Sequence, residues 1–395
     1  MGTVRRVEIE QCKGRFSVKS KAKVAVLTNC LPMYRVPLFG QIKQGVEQLR
    51  LFLSIKEVPD RDWHLFWGDL DVVVNRSVTW VQTFRNSHGF VDHSVISVPY
   101  DTLWLLWRYR PDILVSSEFG VRTLSATMYK FLFPKTKLII WATLSEHTEA
   151  TRSRWRQAVR RRLLRHADGV FVNGASGERY IRSLGFQKGP ISAVPYTIDN
   201  QIFRGPTTRK GGGPIRLLFT GQLVERKGLY PFIVQLTRWC EGHPARAVML
   251  SIVGNGPELE RLQSMKLPSN LEIKYEGVAP FQQLPRYYHE ADIYVFPTLA
   301  DEWGVVVNEA MIAGLPVLGS RYSQAVEELV RDSVNGWTFT AMDGQDTYHA
   351  IDRALQTSTI NLDAMRRCAI DAVSVLTPKA MADLMIATIQ QVSGS

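Results

Sequence analysis

Short apolar runs alternate with stretches of helical periodicity along nearly the whole chain. In the first half, "KVAVLTN" (23–29), "DVVV" (71–74), "DILVS" (112–116), "KLIIWA" (137–142), "GVFVN" (169–173) and "ISAVP" (191–195) predict strands. The pattern restarts with "IRLLFT" (215–220), "VMLSIVG" (248–254), "LEIKYEG" (271–277), "DIYVFP" (292–297), "LPVLGS" (315–320) and "GWTFT" (336–340). These runs are continuous rather than alternating, which suits parallel strands covered on both faces. Strand–helix alternation in each half predicts two doubly wound α/β domains. Their ligand crevices are expected at the carboxyl ends of the strands, facing each other across a cleft. The polar, glycine-rich "RGPTTRKGGGP" (204–214) has a linker composition and divides the chain into domains 1–203 and 204–376.

Three helical stretches add detail. "GVVVNEAMIA" begins at Gly304 and is stopped by Gly314. In "TPKAMADLMIATIQQV" (377–392) Thr377 can cap a helix and Pro378 suits its first turn. Ala382, Met385, Ile386 and Ile389 there fall at i, i+3, i+4 and i+7 and form one apolar face. "RSRWRQAVRRRLLRH" (152–166) puts Trp155, Val159 and Leu163 on one face among arginines. It reads either as a helix packed on its domain with a solvated basic flank or as a membrane-surface element. The aromatic run "LWLLWRYR" (103–110) is expected to line the core or the cleft.

Composition narrows the class. A chain of 395 residues, 45% hydrophobic and 22% charged, is long enough for two cores and too apolar to be disordered. Cys12, Cys30, Cys240 and Cys368 are scattered, without a CxxC or a metal spacing, and read as reduced thiols of a cytosolic protein. The start lacks an apolar h-region, and no uncharged run approaches the roughly 18–20 residues that a spanning helix needs. The net charge of +11 favours polyanionic partners: nucleic acid, anionic lipid or phosphorylated substrates. No RNA motif, zinc spacing or helix-turn-helix supports nucleic acid. Two glycine-rich spots are excluded as nucleotide motifs. "RKGGGP" lacks the Lys-Ser/Thr of a P-loop, and in "VGNGPELERL" Leu259 stands where a dinucleotide fingerprint needs glycine.

The candidate chemistry lies in "PTLADEWGVVVNEAMIAGLPVLGS" (297–320). A strand ends, a loop carries Asp301 and Glu302, and Gly304 opens a helix whose first N–H groups, at Gly304, Val305 and Val306, suit a phosphate. Glu309 lies about 7–8 Å further along the axis at about 1.5 Å per residue. That is about a diphosphate-to-ribose distance, and a carboxylate accepts well from two hydroxyls. A second phosphate feature is "FTGQLVERKG" (219–228), where Gly221 turns the chain and Lys227 offers a point charge to a diphosphate. In "VGNGPE" (253–258) Gly254 and Gly256 allow close backbone approach to a flat base.

These stretches, together with "YEGVAP" and "ELVRDSVNGWTF", resemble the donor domain of the retaining family-4 glycosyltransferases, which have the GT-B fold. The resemblance spans about residues 215–340; in the first half only "AVLTNCLPMYRVPLF" and "VPYTIDNQIF" share it. It implies an E-x7-E pair whose second acid, Glu309, holds the ribose and whose first, here Asp301, contacts the donor sugar. Glu302 then faces solvent. Donor contacts are implied at Gly221, Gln222, Arg226, Lys227, Gly254, Gly256, Val278, Gly304, Val305, Val306 and Glu309. Gln222 stands where the family usually carries an arginine. Asp301, Glu309 and His147 are the catalytic candidates, with Tyr34, Arg35 and Glu118 toward the acceptor.

The implied activity is retaining transfer of a hexose-type sugar from a nucleoside-diphosphate sugar to a glycan or lipid-linked glycan in cell-surface polysaccharide biosynthesis. Neither a cofactor nor a metal is required. The alternative is a non-catalytic GT-B module that binds nucleotide or glycan. The expected partners are the nucleotide-sugar donor, the glycan acceptor and an anionic membrane surface, with no nucleic acid. The implied place is the cytoplasm, peripheral at the inner face of the cytoplasmic membrane. In this family the final helix commonly crosses back, so helix 377–392 is expected on the first domain.

Overall fold

A computed structural model describes residues 19–57, 66–85, 90–149, 153–205 and 213–394. Cys12 and the middle of the 204–214 linker lie outside these residues. The chain divides into two compact units, one of them Asp199–Val375 and the other most of the chain before it together with Leu376–Ser395.

The first unit contains β1 (Ser20–Thr28), β2 (Val46–Leu53), β3 (Val72–Val74), β4 (Ser77–Arg85), β5 (Val91–Pro99), β6 (Ile113–Ser117), β7 (Lys137–Ala142), β8 (Gly169–Val172) and β9 (Ile191–Ala193). Its main sheet has the order β3-β2-β1-β6-β7-β8-β9, with every described pairing parallel, and β4 and β5 form a separate two-stranded sheet. β6 and β8 are buried along their entire length, as continuous apolar runs require.

The second unit contains β10 (Ile215–Thr220), β11 (Val248–Val253), β12 (Leu271–Gly277), β13 (Ile293–Phe296), β14 (Val317–Ser320) and β15 (Gly336–Phe339). Their order is β12-β11-β10-β13-β14-β15, again parallel. This is the doubly wound arrangement, in which the strand order reverses between β10 and β13 and a crevice opens at their carboxyl ends. Trp239, Phe219, Phe232 and Trp337 anchor the core on one face of this sheet.

The last helix, Pro378–Ser393, packs in the first unit against the helix Val36–Gly45 and against β1, β8 and β9. Thr377 caps it, its hydroxyl accepting from Ala380 N at 3.1 Å. Ile386 occupies the space a Cβ at Gly45 would need, and the Ser192 and Thr388 hydroxyls bond at 2.7 Å. Among the described residues one stretch, Thr359–Ser393, is long and apolar enough to cross a membrane. It is two helices, Thr359–Val373 and Pro378–Ser393, and each turns a buried face to its own unit.

Two expectations are corrected. In 103–110 Leu106 and Tyr109 are buried in the core and Leu103 and Leu105 pack against it, but Trp104 and Trp107 are 54% and 53% exposed, because on the helix Thr102–Tyr109 they fall on the opposite face. In the basic helix Arg154–Leu164 the apolar positions do not act together: Leu163 is buried while Trp155 stands out in solvent.

Candidate donor site

The site is built where β10 and β13 end side by side. Gly221 (φ +147°) follows β10, and the chain then makes a short turn, Glu225–Lys227, before the helix Leu229–Gly242. After β13 the loop 297–303 leads to Gly304 (φ +97°), which precedes the helix Val305–Ile312. Backbone bonds stitch the two loops together: the Arg226 carbonyl accepts from Leu299 N (2.8 Å) and from the Thr298 hydroxyl (3.2 Å). A side chain at Gly228 would bring its Cβ within 2.1 Å of the Pro297 carbonyl, so glycine permits this approach.

Charges gather at that seam. Lys227 Nζ donates to Asp301 Oδ2 at 2.6 Å, and Arg226 lies 3.5 Å from the same oxygen while donating to the Ala300 carbonyl at 2.8 Å. Burial alone would raise the Asp301 pKa, but Lys227 and Arg226 outweigh it and hold the carboxyl below its usual range. Asp301 also accepts from Trp303 N at 3.4 Å. It does not cap the helix, whose N-cap is Gly304. The first-turn N–H groups at Gly304, Val305 and Val306 are beyond the reach of any i−4 carbonyl of their own helix. A Cβ at Gly304 would meet the Phe296 ring at 2.6 Å, and Lys227 Nζ lies 5.3 Å from the centre of that ring. Glu302 is exposed.

Glu309, one turn in, is 6% exposed and accepts from the Tyr288 hydroxyl at 2.6 Å. Burial pushes its carboxyl up to about 7, with the Tyr288 bond acting against the rise. The Tyr288 and Thr220 hydroxyls are 2.8 Å apart, and Thr220 and Tyr294 are 3.0 Å apart. With the Tyr288 proton committed to Glu309, the order of donation is Tyr294 to Thr220 to Tyr288 to Glu309. The motif spacing contains Glu309 but not this chain of hydroxyls. "RYYHEADIYVF" carries both tyrosines, yet on a helix and a strand they read simply as core.

Gly254 (φ +148°) follows β11, and its Cβ would fall 1.9 Å from the Gly221 carbonyl. At Gly256 the Leu223 carbonyl is as obstructive, at 2.4 Å. The Gly254 N–H donates to the Gly277 carbonyl (2.7 Å), which brings Val278, 72% exposed, to the same rim. Gln222 lies half-buried in the Gly221 turn. Gly221, Gln222, Arg226, Lys227, Asp301, Gly304 and Glu309 thus border the switch point, with Gly254, Gly256 and Val278 one and two strands away.

The first-half candidates sit in the other unit. Arg35 is buried, its guanidinium 4.7 Å from the Trp141 ring and 4.4 Å from Tyr196, and Tyr34 packs on Tyr196 at 5.8 Å. Glu118 follows β6 at φ +65° and pairs with Arg122 at 3.4 Å. Arg35 and Glu118 follow the strands that flank that sheet's own order reversal, β1 and β6. His147 lies half-buried in the single turn Glu146–Glu149 after β7.

With this geometry in place, comparison with known proteins is decisive for the second half. The profile of "Glycosyl transferases group 1" matches residues 214–357. Residues 214–357 are a group 1 glycosyl transferase domain. The amylovoran biosynthesis glycosyltransferase AmsK of Erwinia amylovora is 31% identical over 140 residues, 33% of this chain and 34% of AmsK. The putative colanic acid biosynthesis glycosyltransferase WcaL of Salmonella typhimurium is 26% identical over 42% of each chain. The chain therefore spans well under two thirds of the length of these relatives. Among solved structures, Anabaena HepE in complex with UDP and glucose superposes with a TM-score of 0.68 at 14% identity, covering 93% of this chain and 99% of HepE. The lipopolysaccharide outer core galactosyltransferase WaaB gives 0.66 at 14% identity, over 92% and 99%. Likeness at that identity establishes the GT-B fold. The seam between Lys227 and Asp301 and the buried Glu309 all lie within the group 1 domain.

Proposed function

We propose that this chain is a retaining glycosyltransferase that transfers a sugar from a nucleoside-diphosphate sugar to a glycan or lipid-linked glycan of the cell surface. The carrying observation is the meeting of Lys227, Arg226 and Asp301 with the start of the helix Val305–Ile312 at the switch point of the second sheet. UDP and glucose in HepE, and amylovoran and colanic acid biosynthesis in the names of AmsK and WcaL, support this choice.

In this reading the diphosphate lies over the N–H groups of Gly304–Val306, with Lys227 turning from Asp301 toward it. Glu309 accepts from the ribose hydroxyls, and the Gly254–Gly256 turn borders the base. As the bond from the anomeric carbon to the phosphate oxygen breaks, negative charge grows on the diphosphate. Fixed donors aimed there lower the barrier without a metal ion. The acceptor hydroxyl attacks on the face the diphosphate leaves, forms the new glycosidic bond and passes its proton to a phosphate oxygen. Asp301 holds the donor sugar. Tyr34, Arg35, Glu118 and His147 belong to acceptor recognition and positioning, at the inner face of the cytoplasmic membrane.

A thermal-shift panel of nucleoside-diphosphate sugars, followed by transfer and hydrolysis assays, tests this. Ligand at about a hundred times its Kd stabilises by about 2.7 kcal/mol. Turnover should survive EDTA and disappear in a folded Glu309→Ala variant. Absence of binding, transfer and hydrolysis with every donor would overturn the proposal; binding without turnover would leave a nucleotide-binding module.

A further inference from the structure

The helix Val121–Leu132 is built inside out. Its inward positions include Arg122, Thr123 and Thr127, with Ala126 and Tyr129, while Val121, Leu124, Met128, Phe131 and Leu132 face solvent. Those five fall at i, i+3, i+7, i+10 and i+11, a single stripe. The last two are 64% and 69% exposed. Large apolar side chains scattered singly on a surface need no explanation, but a continuous stripe does. The stripe extends onto the neighbouring helix Thr102–Tyr109 through an apolar groove of about 490 Å³, lined by Trp104, Trp107, Tyr129 and Leu132 among others.

The surroundings are strongly cationic. Phe131 packs edge-on against His166, with ring centres 4.7 Å apart, which joins the stripe to the end of the helix Arg154–Leu164. Burial and then Arg162, Lys188, Lys130 and Arg165 depress the His166 pKa, a sign of how much positive charge converges there. Neither 102–111, 119–137 nor 153–166 contains a single Asp or Glu. Arg108, Arg154, Arg156, Arg161, Arg162 and Arg165 are exposed, and among the described residues none of them has an ion-pair partner.

We propose that this face, the outer stripe of Val121–Leu132 with Trp104 and Trp107 and its arginine border, docks on an anionic lipid bilayer. A second copy fits poorly, because a symmetric contact would bring the same uncompensated arginines against each other. An apolar ridge carrying tryptophan and phenylalanine, bordered by arginine, matches the acyl boundary and headgroup layers of a leaflet. The inference deepens the transferase reading and rests on it only for purpose, the delivery of a lipid-linked acceptor. Vesicle binding is measured without turnover.

The test is sedimentation of the full chain with phosphatidylcholine vesicles, with and without phosphatidylglycerol. Binding is expected only with phosphatidylglycerol and should weaken as salt rises. Each cation near an anionic leaflet is worth roughly fivefold in partitioning, so Arg161→Gln/Arg162→Gln should weaken binding roughly thirtyfold at low salt. Phe131→Ser/Leu132→Ser should remove it at any salt with the melting midpoint unchanged, since both side chains are exposed. Brominated acyl chains should quench tryptophan emission, and less so in Trp104→Phe/Trp107→Phe. The proposal is overturned if wild type does not sediment or if the serine pair sediments like wild type. A dimer in sedimentation velocity that the serine pair dissolves would assign the face to a second copy. A nucleotide thermal shift on the same samples separates failure here from failure of the transferase reading.

Discussion

At Glu309, burial and the proposed ribose contact ask opposite things of one carboxyl. Burial keeps its proton up to about pH 7, whereas a ribose needs the ionised form as a double acceptor. Apparent donor KM is therefore expected to rise as pH falls below about 7, read from pH profiles of initial rates. Tyr288→Phe removes the bond that lowers this pKa, so the inflection should move to higher pH. The same proton is linked to stability. The folded-state value lies above the ordinary 4.5, so the folded protein holds a proton the unfolded chain has lost. That stabilisation is complete below pH 4.5 and is lost as pH rises through 7, ~3 kcal/mol at about 1.4 kcal/mol per pH unit. In Glu309→Gln, denaturant titrations should show no such decline. Asp301→Asn removes the carboxylate to which Lys227 donates. UDP should then bind within about threefold of wild type, while transfer falls by roughly a hundredfold as a sugar contact is lost. Asp301, Glu309 and Lys227 were singled out in the sequence by their places beside glycine-led turns, and the fold brings Asp301 and Lys227 together at the head of the helix that carries Glu309. Thr220, Tyr288 and Tyr294 were not, because they meet only where a helix carrying Tyr288 packs on two strands distant in sequence.

Among the elements, the turns after β10 and β11 constrain each other. Gly254→Ala would add strain at φ +148° and drive a methyl into the Gly221 backbone, which no rotamer change relieves. A loss of about 2 kcal/mol or more is expected, with weaker nucleotide binding, measured by melting and ligand-induced shift. Apolar runs revealed twelve strands because parallel strands buried on both faces leave a continuous signature. β2 escaped because Glu47, Gln48 and Arg50 interrupt its run, and its inward residues gather at one end. β4 escaped because Trp80 and Val81, adjacent and so on opposite faces, are both exposed: neither face points to a core. The period of 121–132 and of 103–110 likewise tells which positions share a stripe but not which way the stripe faces.

For the molecule as a whole, the last helix matters most. Removing residues 377–395 should strip cover from the helix Val36–Gly45 and from β8 and β9. The first unit is expected to melt earlier in calorimetry, while the nucleotide-induced shift of the group 1 domain persists. Thr377, Pro378 and the apolar spacing outlined this helix in the sequence. Its seat did not follow from spacing, because a stripe alone does not name the surface that covers it. The chain's order of synthesis is consequently at odds with its architecture. The first unit emerges from the ribosome as far as Ile198, then waits for Asp199–Val375 to be made before Leu376–Ser395 can complete it. At about 5–20 residues per second that delay is on the order of ten seconds or more. Throughout it the seat of Ile386 beside Gly45 stays open to chaperones or to neighbouring nascent chains, so the half translated first is the last to be finished.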